Sequence, residues 1–358
     1  MIDTTLPLSS IDHVFTGVGA YEIGFAFAYQ DTIDVDRLRS SLWQTLEDFW
    51  PLRSQLIRPS EHSYAFQPAD QGLVFEVAHA TAAFGSAEDV TTFVDLVQTT
   101  EGQPLTKIKL TQTPQGSVIG VSISHALVDG FSYFHFLSSW SRVFHGKRHL
   151  PPVHQRELLT PKTLGPQEPV TPEEVLAQCG LFWAGKRRPV ARERLSEERL
   201  LISKEAIHEL LAEAQQDCEV LLYPNDVLTA HLWKTCITRW EEGRGNPVTF
   251  VSCPVDFRRL VRAVPRTYFG SAIMGATASL DYDSLASAPL GKLALLVRQA
   301  VAGVRQDYVL GGVQTLERLR RQRTLSAMEE IHVRHPQHGI VVTNISRLPL
   351  QSLDFGAG

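Results

Sequence analysis

The chain has 358 residues, a formal net charge of −5, and a composition that is 43% hydrophobic and 20% charged. This length accommodates two domains of ordinary size, each with its own core, and the composition is that of a globular protein without a biased tract. The negative net charge argues against a general nucleic-acid binder, because such proteins carry an excess of Lys and Arg to neutralise phosphates.

The first hundred residues predict a strand followed by an amphipathic helix. Residues 22–31 have the pattern of a strand, and Asp34 or Asp36 is expected to cap the helix that follows. One face of this helix carries Leu38, Leu42, Leu46 and Phe49, and Pro51 ends it. Trp43 and Trp50 are expected in the core or at a contact between lobes, and residues 87–100 predict a second, weaker helix.

A hairpin is predicted over residues 106–124, with its turn at 114–116, and its second strand ends at His125. A helix follows, and its buried stripe is predicted to consist of Phe131, Phe134, Leu137, Trp140 and Phe144. An ionisable side chain thus stands where a strand gives way to a helix. Open α/β structures tend to place their chemistry at such points.

His125 is the candidate general base, because an imidazole can take and return a proton near neutral pH. Asp129 lies across the change from strand to helix, so a structural role is expected: it caps the helix or pairs with an arginine elsewhere. Gly130 is expected to supply a positive φ or a close backbone approach to a ligand. The alternative is a capped turn that contains an incidental histidine.

Residues 147–171 are rich in proline and predict a crossover between two halves of the chain. The second half predicts helices at 204–217, 227–240 and 289–308, and strands at 247–254, 271–280 and 339–344. This pattern divides the chain into an N-terminal lobe at 1–150, a crossover linker at 151–195 and a C-terminal lobe at 196–358. The four cysteines are far apart without a C-x-x-C pair, which indicates neither a zinc site nor a disulfide framework.

Two segments together resemble the H-x-x-x-D-G and D-F-G-W-G signatures of the BAHD acyltransferases: His125–Gly130 and Asp354–Gly358. Four further segments agree with the family in order, namely Leu6–Asp12, Phe49–Leu52, Val255–Arg258 (V-D-x-R) and Tyr268–Ser271 (Y-F-G-N). The chain departs from the family pattern at Ala357, which replaces Trp, and at Ser271, which replaces Asn. Because the chain stops at Gly358, the C-terminal lobe is expected to lack its last strands or to be a short form.

The resemblance implies an α/β fold of two chloramphenicol-acetyltransferase-like lobes, built of mixed sheet plus helices, with the active-site channel between them. It implies acyl-coenzyme A as co-substrate without a permanently bound cofactor or metal, and a small-molecule alcohol or amine as acceptor. A cytoplasmic monomer without membrane or nucleic-acid partners is expected, because the first seven residues have neither a basic n-region nor an apolar h-region and no stretch approaches 18 uninterrupted apolar residues.

For individual residues, the resemblance implies that His125 is the base and that Asp129 pairs with Arg258 or Arg259. Gly130, Asp354 and Gly356 are expected to be structural at the site, with Asp354 away from the reacting atoms. Ser271, Thr343 and Asn344 are candidates for oxyanion or substrate contacts. The basic cluster Lys186–Arg188, with Arg192 and Arg194, is either a solvated face or a contact for the phosphates of coenzyme A.

Two alternatives to this function stay open from the sequence. The early stop and the missing Trp at position 357 are compatible with a binding or regulatory protein that keeps the fold without catalysis. A transferase that takes acyl groups from a carrier protein instead of free coenzyme A is the second alternative.

Overall fold

A computed structural model describes residues 5–81, 92–165, 170–188, 198–241 and 245–356. Over these ranges the chain folds into eight α-helices and twelve β-strands, which confirms the predicted mixed α/β class. The helices are α1 Val35–Asp48, α2 Gly130–Phe144, α3 Pro172–Gln178, α4 Lys204–Gln216, α5 Pro224–Glu241, α6 Tyr282–Ser287, α7 Leu290–Gly303 and α8 Gln306–Met328. The strands are β1 Leu6–Pro7, β2 Glu22–Tyr29, β3 Ser54–Ser60, β4 Ser63–Pro68, β5 Leu73–His79, β6 Thr106–Thr113, β7 Gly116–Ser124, β8 Phe182–Trp183, β9 Val248–Asp256, β10 Ile273–Asp281, β11 Ile331–His332 and β12 Gly339–Val341.

The main sheet of the N-terminal half has the strand order β2-β7-β6-β5, in which only β5 and β6 run parallel. Every residue of β7 is buried, because the strand lies inside the sheet and both of its faces are covered. The predicted hairpin is therefore confirmed as β6 and β7. α2 packs against α1, and its Phe134 contacts Phe25 of β2 edge-to-face with ring centroids 5.4 Å apart.

The C-terminal half contains a sheet with the order β10-β9-β12, where β9 is antiparallel to β10 and parallel to β12. Helices α5 and α7 pack against each other and against this sheet. Part of the predicted crossover linker also folds here: β8 pairs with β11, and α3 contacts α8 and β10. The linker therefore contributes one helix and one strand to the C-terminal half.

Three predictions for the N-terminal half are wrong. Within the expected helix at 87–100, residues 87–91 lie outside the described residues and 94–99 form no helix. That segment crosses the sheet so closely that a Cβ at Gly120 would lie 1.7 Å from the Phe93 carbonyl oxygen. Trp43 is 42% exposed beneath the guanidinium of Arg53, and Phe131 is 38% exposed, so neither belongs to the core.

Predictions for the second half are corrected at helix boundaries. The expected helix at 289–308 ends at Gly303, and α8 begins at Gln306 after two residues with extended backbone, Val304 and Arg305. A cluster of arginines lies on α8, where buried Glu317 accepts hydrogen bonds from Arg320 and Arg321.

α5 begins at Pro224, three residues before the predicted start, because the Asp226 carboxylate accepts a hydrogen bond from the Tyr223 N–H. The predicted strand at 339–344 is shorter than expected and ends at Val341.

Among the described residues, no helix is long and apolar enough to cross a membrane. Nor do these residues contain a cluster of three or more His, Cys, Asp or Glu side chains that could hold a metal ion.

Candidate active site

His125 follows the last residue of β7, and both its backbone N–H and its backbone carbonyl form hydrogen bonds. Its N–H donates to the Tyr21 carbonyl oxygen at 3.1 Å, just before β2. Its carbonyl oxygen accepts a hydrogen bond of 3.0 Å from the Ser271 hydroxyl, just before β10. The candidate base is therefore positioned by both halves of the chain.

The imidazole of His125 stacks on the ring of Phe15, with centroids 4.1 Å apart and planes 10° from parallel. Burial lowers the pKa of His125 below its ordinary value of 6.5, although its own carbonyl and the charges of Asp129 and Asp12 oppose this effect. Its Nδ1 atom is buried and has no hydrogen-bond partner in any other described residue. The ring is thus neutral at neutral pH, as a general base must be.

The Asp129 carboxylate forms no hydrogen bond with the imidazole of His125. It bonds instead to the N-terminus of α2 and to the side chain of Arg258. One carboxylate oxygen accepts the N–H of Ser132 at 2.8 Å and so caps α2. The two oxygens also receive Arg258 Nη1 and Nη2 at 2.7 and 3.0 Å, in bidentate geometry. Burial by itself would raise the pKa of Asp129, but Arg258 and these hydrogen bonds hold it below its ordinary value.

Arg258 joins three of the sequence motifs at one point. Besides Asp129, its guanidinium donates to the carbonyl oxygens of Tyr268 and Gly270 at 3.1 and 2.9 Å. The exposed ring of Phe131 lies 4.6 Å from the guanidinium carbon, a cation–π contact that the predicted core position did not anticipate. The ion pair thus fixes the start of α2 against the segment that precedes β10.

A second buried ion pair lies on the other side of the His125 loop. Arg156 Nη1 is 2.6 Å from an Asp12 carboxylate oxygen, and both side chains are almost fully buried. Arg156 also donates to the carbonyl oxygens of Ala126 and Leu127 at 3.1 and 2.8 Å. The other oxygen of Asp12 accepts the N–H of Ser271 at 3.2 Å. The four residues after His125 are therefore clamped between two ion pairs.

A cavity of about 300 Å³ opens beside His125 and is mostly apolar. Phe15 and Tyr21 line it from the N-terminal half, and Gly180, Met274 and Thr343 line it from later segments. Cys179 also lines the cavity, but burial raises the pKa of its thiol to about 12. A thiolate nucleophile is therefore disfavoured there at neutral pH, and His125 is the titratable group suited to proton transfer.

The other candidate contact residues differ in position. Thr343 lines the cavity, whereas exposed Asn344 donates to the side chain of Asn225 at 2.8 Å. The Ser271 hydroxyl donates to the His125 backbone, so its proton is not directed at a substrate. Of the two roles predicted for Gly130, the positive φ is wrong: Gly130 is the first residue of α2, and a Cβ there would meet Leu348 at an ordinary 3.7 Å.

Asp354 lies at the far end of α2. Its backbone exchanges hydrogen bonds with the Ser141 hydroxyl, and its carboxylate lies 3.1 Å from His145 Nε2. Gly356 donates its N–H to the same carboxylate at 3.1 Å. Ser141 is in the last turn of α2, roughly 16 Å along the helix from Gly130. This motif is thus remote from His125, whereas Ala357 lies outside the described residues.

Sequence reasoning missed Arg156, Phe15 and the part played by Asp12. The spacing of Ser9 and Asp12 is a usable signal, because their side chains and N–H groups bond reciprocally as in a capping motif. Arg156 gives no local signal in its proline-rich surroundings. In the basic cluster Lys186–Arg188, Arg187 is buried and donates to the carbonyl oxygens of Val14 and Thr16, so it is not part of a solvated face. Arg192 and Arg194 lie outside the described residues.

Comparison with known proteins places this geometry in a wider context. A sequence model of the Transferase family matches residues 1–358. Shikimate O-hydroxycinnamoyltransferase of Nicotiana tabacum is 26% identical over 342 residues, which covers 90% of this chain and 76% of that protein. An Avena sativa enzyme, hydroxycinnamoyl-CoA:5-hydroxyanthranilate N-hydroxycinnamoyltransferase HHT4, is 27% identical over 361 residues, covering 92% of this chain and 77% of the relative.

Solved structures share the fold at lower identity. TRI101 of F. sporotrichioides, complexed with coenzyme A and T-2, aligns with a TM-score of 0.71 at 16% identity and covers 99% of this chain and 86% of that one. Vinorine synthase aligns with a TM-score of 0.66 at 18% identity, covering 99% and 81%. These alignments confirm the predicted two-lobed fold.

Proposed function

The chain belongs to the Transferase family, the BAHD acyltransferases, and on that premise we propose that His125 is the general base of its reaction. The protein is an acyltransferase that moves an acyl group from acyl-coenzyme A to a hydroxyl or amine of a small molecule. The observation that supports the assignment of the base is the position of His125: a neutral imidazole that lines the cavity and whose backbone is held by both halves of the chain.

His125 removes the proton from the acceptor as its oxygen or nitrogen attacks the thioester carbonyl carbon. The tetrahedral intermediate carries a negative oxygen, and collapse breaks the bond from carbon to sulfur. The imidazolium then gives its proton to the departing thiolate. Because the thioester is already activated and the cavity holds both reactants, no covalent acyl-enzyme is needed.

Thr343 is the hydroxyl that we assign to the developing oxyanion, because it lines the same cavity as His125. Asn344 and Ser271 are less suited, since Asn344 bonds to Asn225 and the Ser271 hydroxyl donates to the His125 carbonyl. We assign positioning roles to Asp129 and Arg258, which hold the loop between His125 and α2. Gly130, Asp354 and Gly356 have structural roles in this proposal.

The remaining expectations form part of the same proposal. We divide the chain into lobes at 1–150 and 196–358 joined by a linker at 151–195, and we expect a cytoplasmic monomer. Support for the division is that His125 receives its backbone contacts from Tyr21 in the first lobe and Ser271 in the second. Sedimentation equilibrium would test the monomer directly.

Release of free thiol from a panel of acyl-coenzyme A donors with mixed alcohol and amine acceptors tests the base. Wild type is expected to release thiol only when an acceptor is present, and His125→Ala is expected to lose this activity while melting cooperatively. His208→Ala serves as the control, because His208 is exposed on α4. A folded and fully active His125→Ala protein would refute the mechanism.

A further inference from the structure

A groove of about 750 Å³ continues from the cavity that contains His125. The two spaces share Tyr21, Glu22 and Arg334 in their walls. The remaining walls come from residues 17–20, 96–100, 187–188, 332 and 336. A ligand that reaches from the groove into the cavity would therefore present one end to His125.

The groove is positively charged. Its lining contains Arg187, Arg188 and Arg334 against a single carboxylate, Glu22. Glu22 already interacts within the chain. Neither Arg188 nor Arg334 has a carboxylate within ion-pair distance in the part of the chain that the structure describes, and Arg334 makes only long contacts of 3.4 and 3.5 Å to carbonyl oxygens. Both exposed arginines are therefore free to bind an anion.

Arg187 supplies a buried charge beneath this groove. It is only 6% exposed, and its Nε–H has no hydrogen-bond partner among the described residues. Its two terminal nitrogens donate to the carbonyl oxygens of Val14 and Thr16, and no described carboxylate forms an ion pair with it. Among the described carboxylates, only the charge of Glu329, beyond ion-pair distance, opposes the cost of burying the Arg187 cation. An anion held nearby would therefore be favoured by all three arginines.

We propose that this groove binds a carboxylate of the acceptor, so that the acceptor is a small hydroxy or amino acid. This assignment rests on the proposed acyl transfer and names its substrate class. Arginine suits a carboxylate because its planar fork donates two parallel hydrogen bonds. With the carboxylate at Arg334, which lines both spaces, the acceptor's hydroxyl or amine extends toward the imidazole.

The phosphates of coenzyme A are the other anions in this reaction, but they fit the groove less well. A long pantetheine arm separates them from the thioester, whereas Arg334 lines the very cavity in which the thioester must meet His125. The groove is also connected to His125 through direct contacts. Arg187 donates to the backbone carbonyl oxygens on both sides of Phe15, and the ring of Phe15 stacks on His125.

Binding of matched probes by titration calorimetry tests the proposal. The probes are 3-hydroxybenzoate, 3-aminobenzoate and 4-hydroxybutanoate, each against its methyl ester, with and without saturating coenzyme A. For at least one pair, wild type is expected to prefer the acid by about tenfold or more, as a charge-assisted contact would give. The double variant Arg188→Gln/Arg334→Gln is expected to lose this preference. Arg305→Gln, which removes an exposed arginine outside the groove, is expected to retain it.

Other results of these measurements would contradict either the carboxylate site or the acyl transfer. Equal binding of acid and ester in every pair, or a preference that survives in the double variant, would overturn the proposal. Loss of acid binding in saturating coenzyme A would assign the groove to the phosphates and overturn it as well. A preference for acids in a protein that releases no thiol would refute the acyl transfer alone, whereas equally fast transfer to acids and esters would refute the acceptor class alone.

Discussion

His125 combines two properties that its residue type alone does not provide. Burial keeps the imidazole neutral, and the stacked ring of Phe15 fixes its plane. Asp129, four residues later, does not bond to it, because Arg258, Ser132 and Ala272 donate to both of its carboxylate oxygens. In the proposed mechanism His125 therefore acts without a carboxylate bonded to its imidazole, and its proton affinity is set mainly by desolvation.

The pH dependence of the reaction follows from this environment. Because burial lowers the pKa of His125 below 6.5, the active neutral imidazole predominates at neutral pH and is lost only in more acidic solution. We expect kcat/KM to rise with pH along an acid limb whose midpoint lies below 6.5, and then to level off. Initial rates of thiol release between pH 4.5 and 8.5, corrected for thioester hydrolysis without enzyme, measure it. A midpoint above 6.5 would contradict the environment described for the imidazole.

The loop between β7 and α2 is held chiefly by interactions that are distant in sequence. Asp129 and Arg258 are 129 residues apart, and their pair is almost fully buried. When one partner of a buried ion pair is removed, the other charge stays buried and uncompensated. The loss of folding stability is therefore larger than for an ion pair exposed to water. The geometry of the His125 loop and the stability of the fold therefore depend on the same contacts.

Asp129→Asn is expected to lower the free energy of unfolding by about 3–5 kcal/mol and to lower kcat with it. Combined with Arg258→Gln, the two losses should be less than additive, because both variants remove the same ion pair. Urea denaturation of the single and double variants measures these quantities. Arg39→Gln is the matched control: its pair with Asp36 is exposed and should contribute under about 1 kcal/mol. Strict additivity would argue against the coupling.

Helices, strands and site residues that have a recognisable local sequence pattern could be predicted, whereas those that depend on tertiary packing could not. Alternation over 118–124 and aromatic spacing over 134–144 identify β7 and α2, because each pattern matches the period of its own element. The V-D-x-R motif pointed to Arg258 or Arg259, and the structure pairs Arg258 with Asp129. Arg156 was missed because its burial depends on tertiary packing beneath the loop. Most of α8 was not predicted, because its many arginines interrupt the apolar pattern of the buried face that includes Val313 and Leu316.

At the scale of the whole molecule, buried histidines make stability depend on pH. His13 donates to the Ser9 carbonyl and accepts the Tyr64 N–H, a neutral arrangement in which burial lowers its pKa to about 4. Burial lowers the pKa of His154 to about 4 as well. The unfolded chain, with histidines near 6.5, therefore binds more protons than the folded chain between pH 4 and 6.5.

The contribution of these histidines to the free energy of unfolding is thus expected to be complete above pH 6.5 and to decrease as the pH falls toward 4. His13 accounts for roughly 3 kcal/mol of this decrease. Urea midpoints from pH 4.5 to 7.5 measure the slope. His13→Gln should be less stable at neutral pH but lose stability less steeply on acidification. His208→Gln, at an exposed position, should keep the wild-type slope. An unchanged slope in His13→Gln would show that His13 does not titrate as described.

The contacts of Ser271 set the order in which a functional site can arise during synthesis. Its N–H bonds to Asp12, 259 residues earlier, and its hydroxyl bonds to the carbonyl of His125. A nascent chain that has just emerged through α2 already contains His125, but not Ser271, which binds its carbonyl oxygen. Contacts this distant in sequence form slowly, since a long loop must close before they are gained. His125 thus acquires its native surroundings only after about three quarters of these 358 residues have left the ribosome.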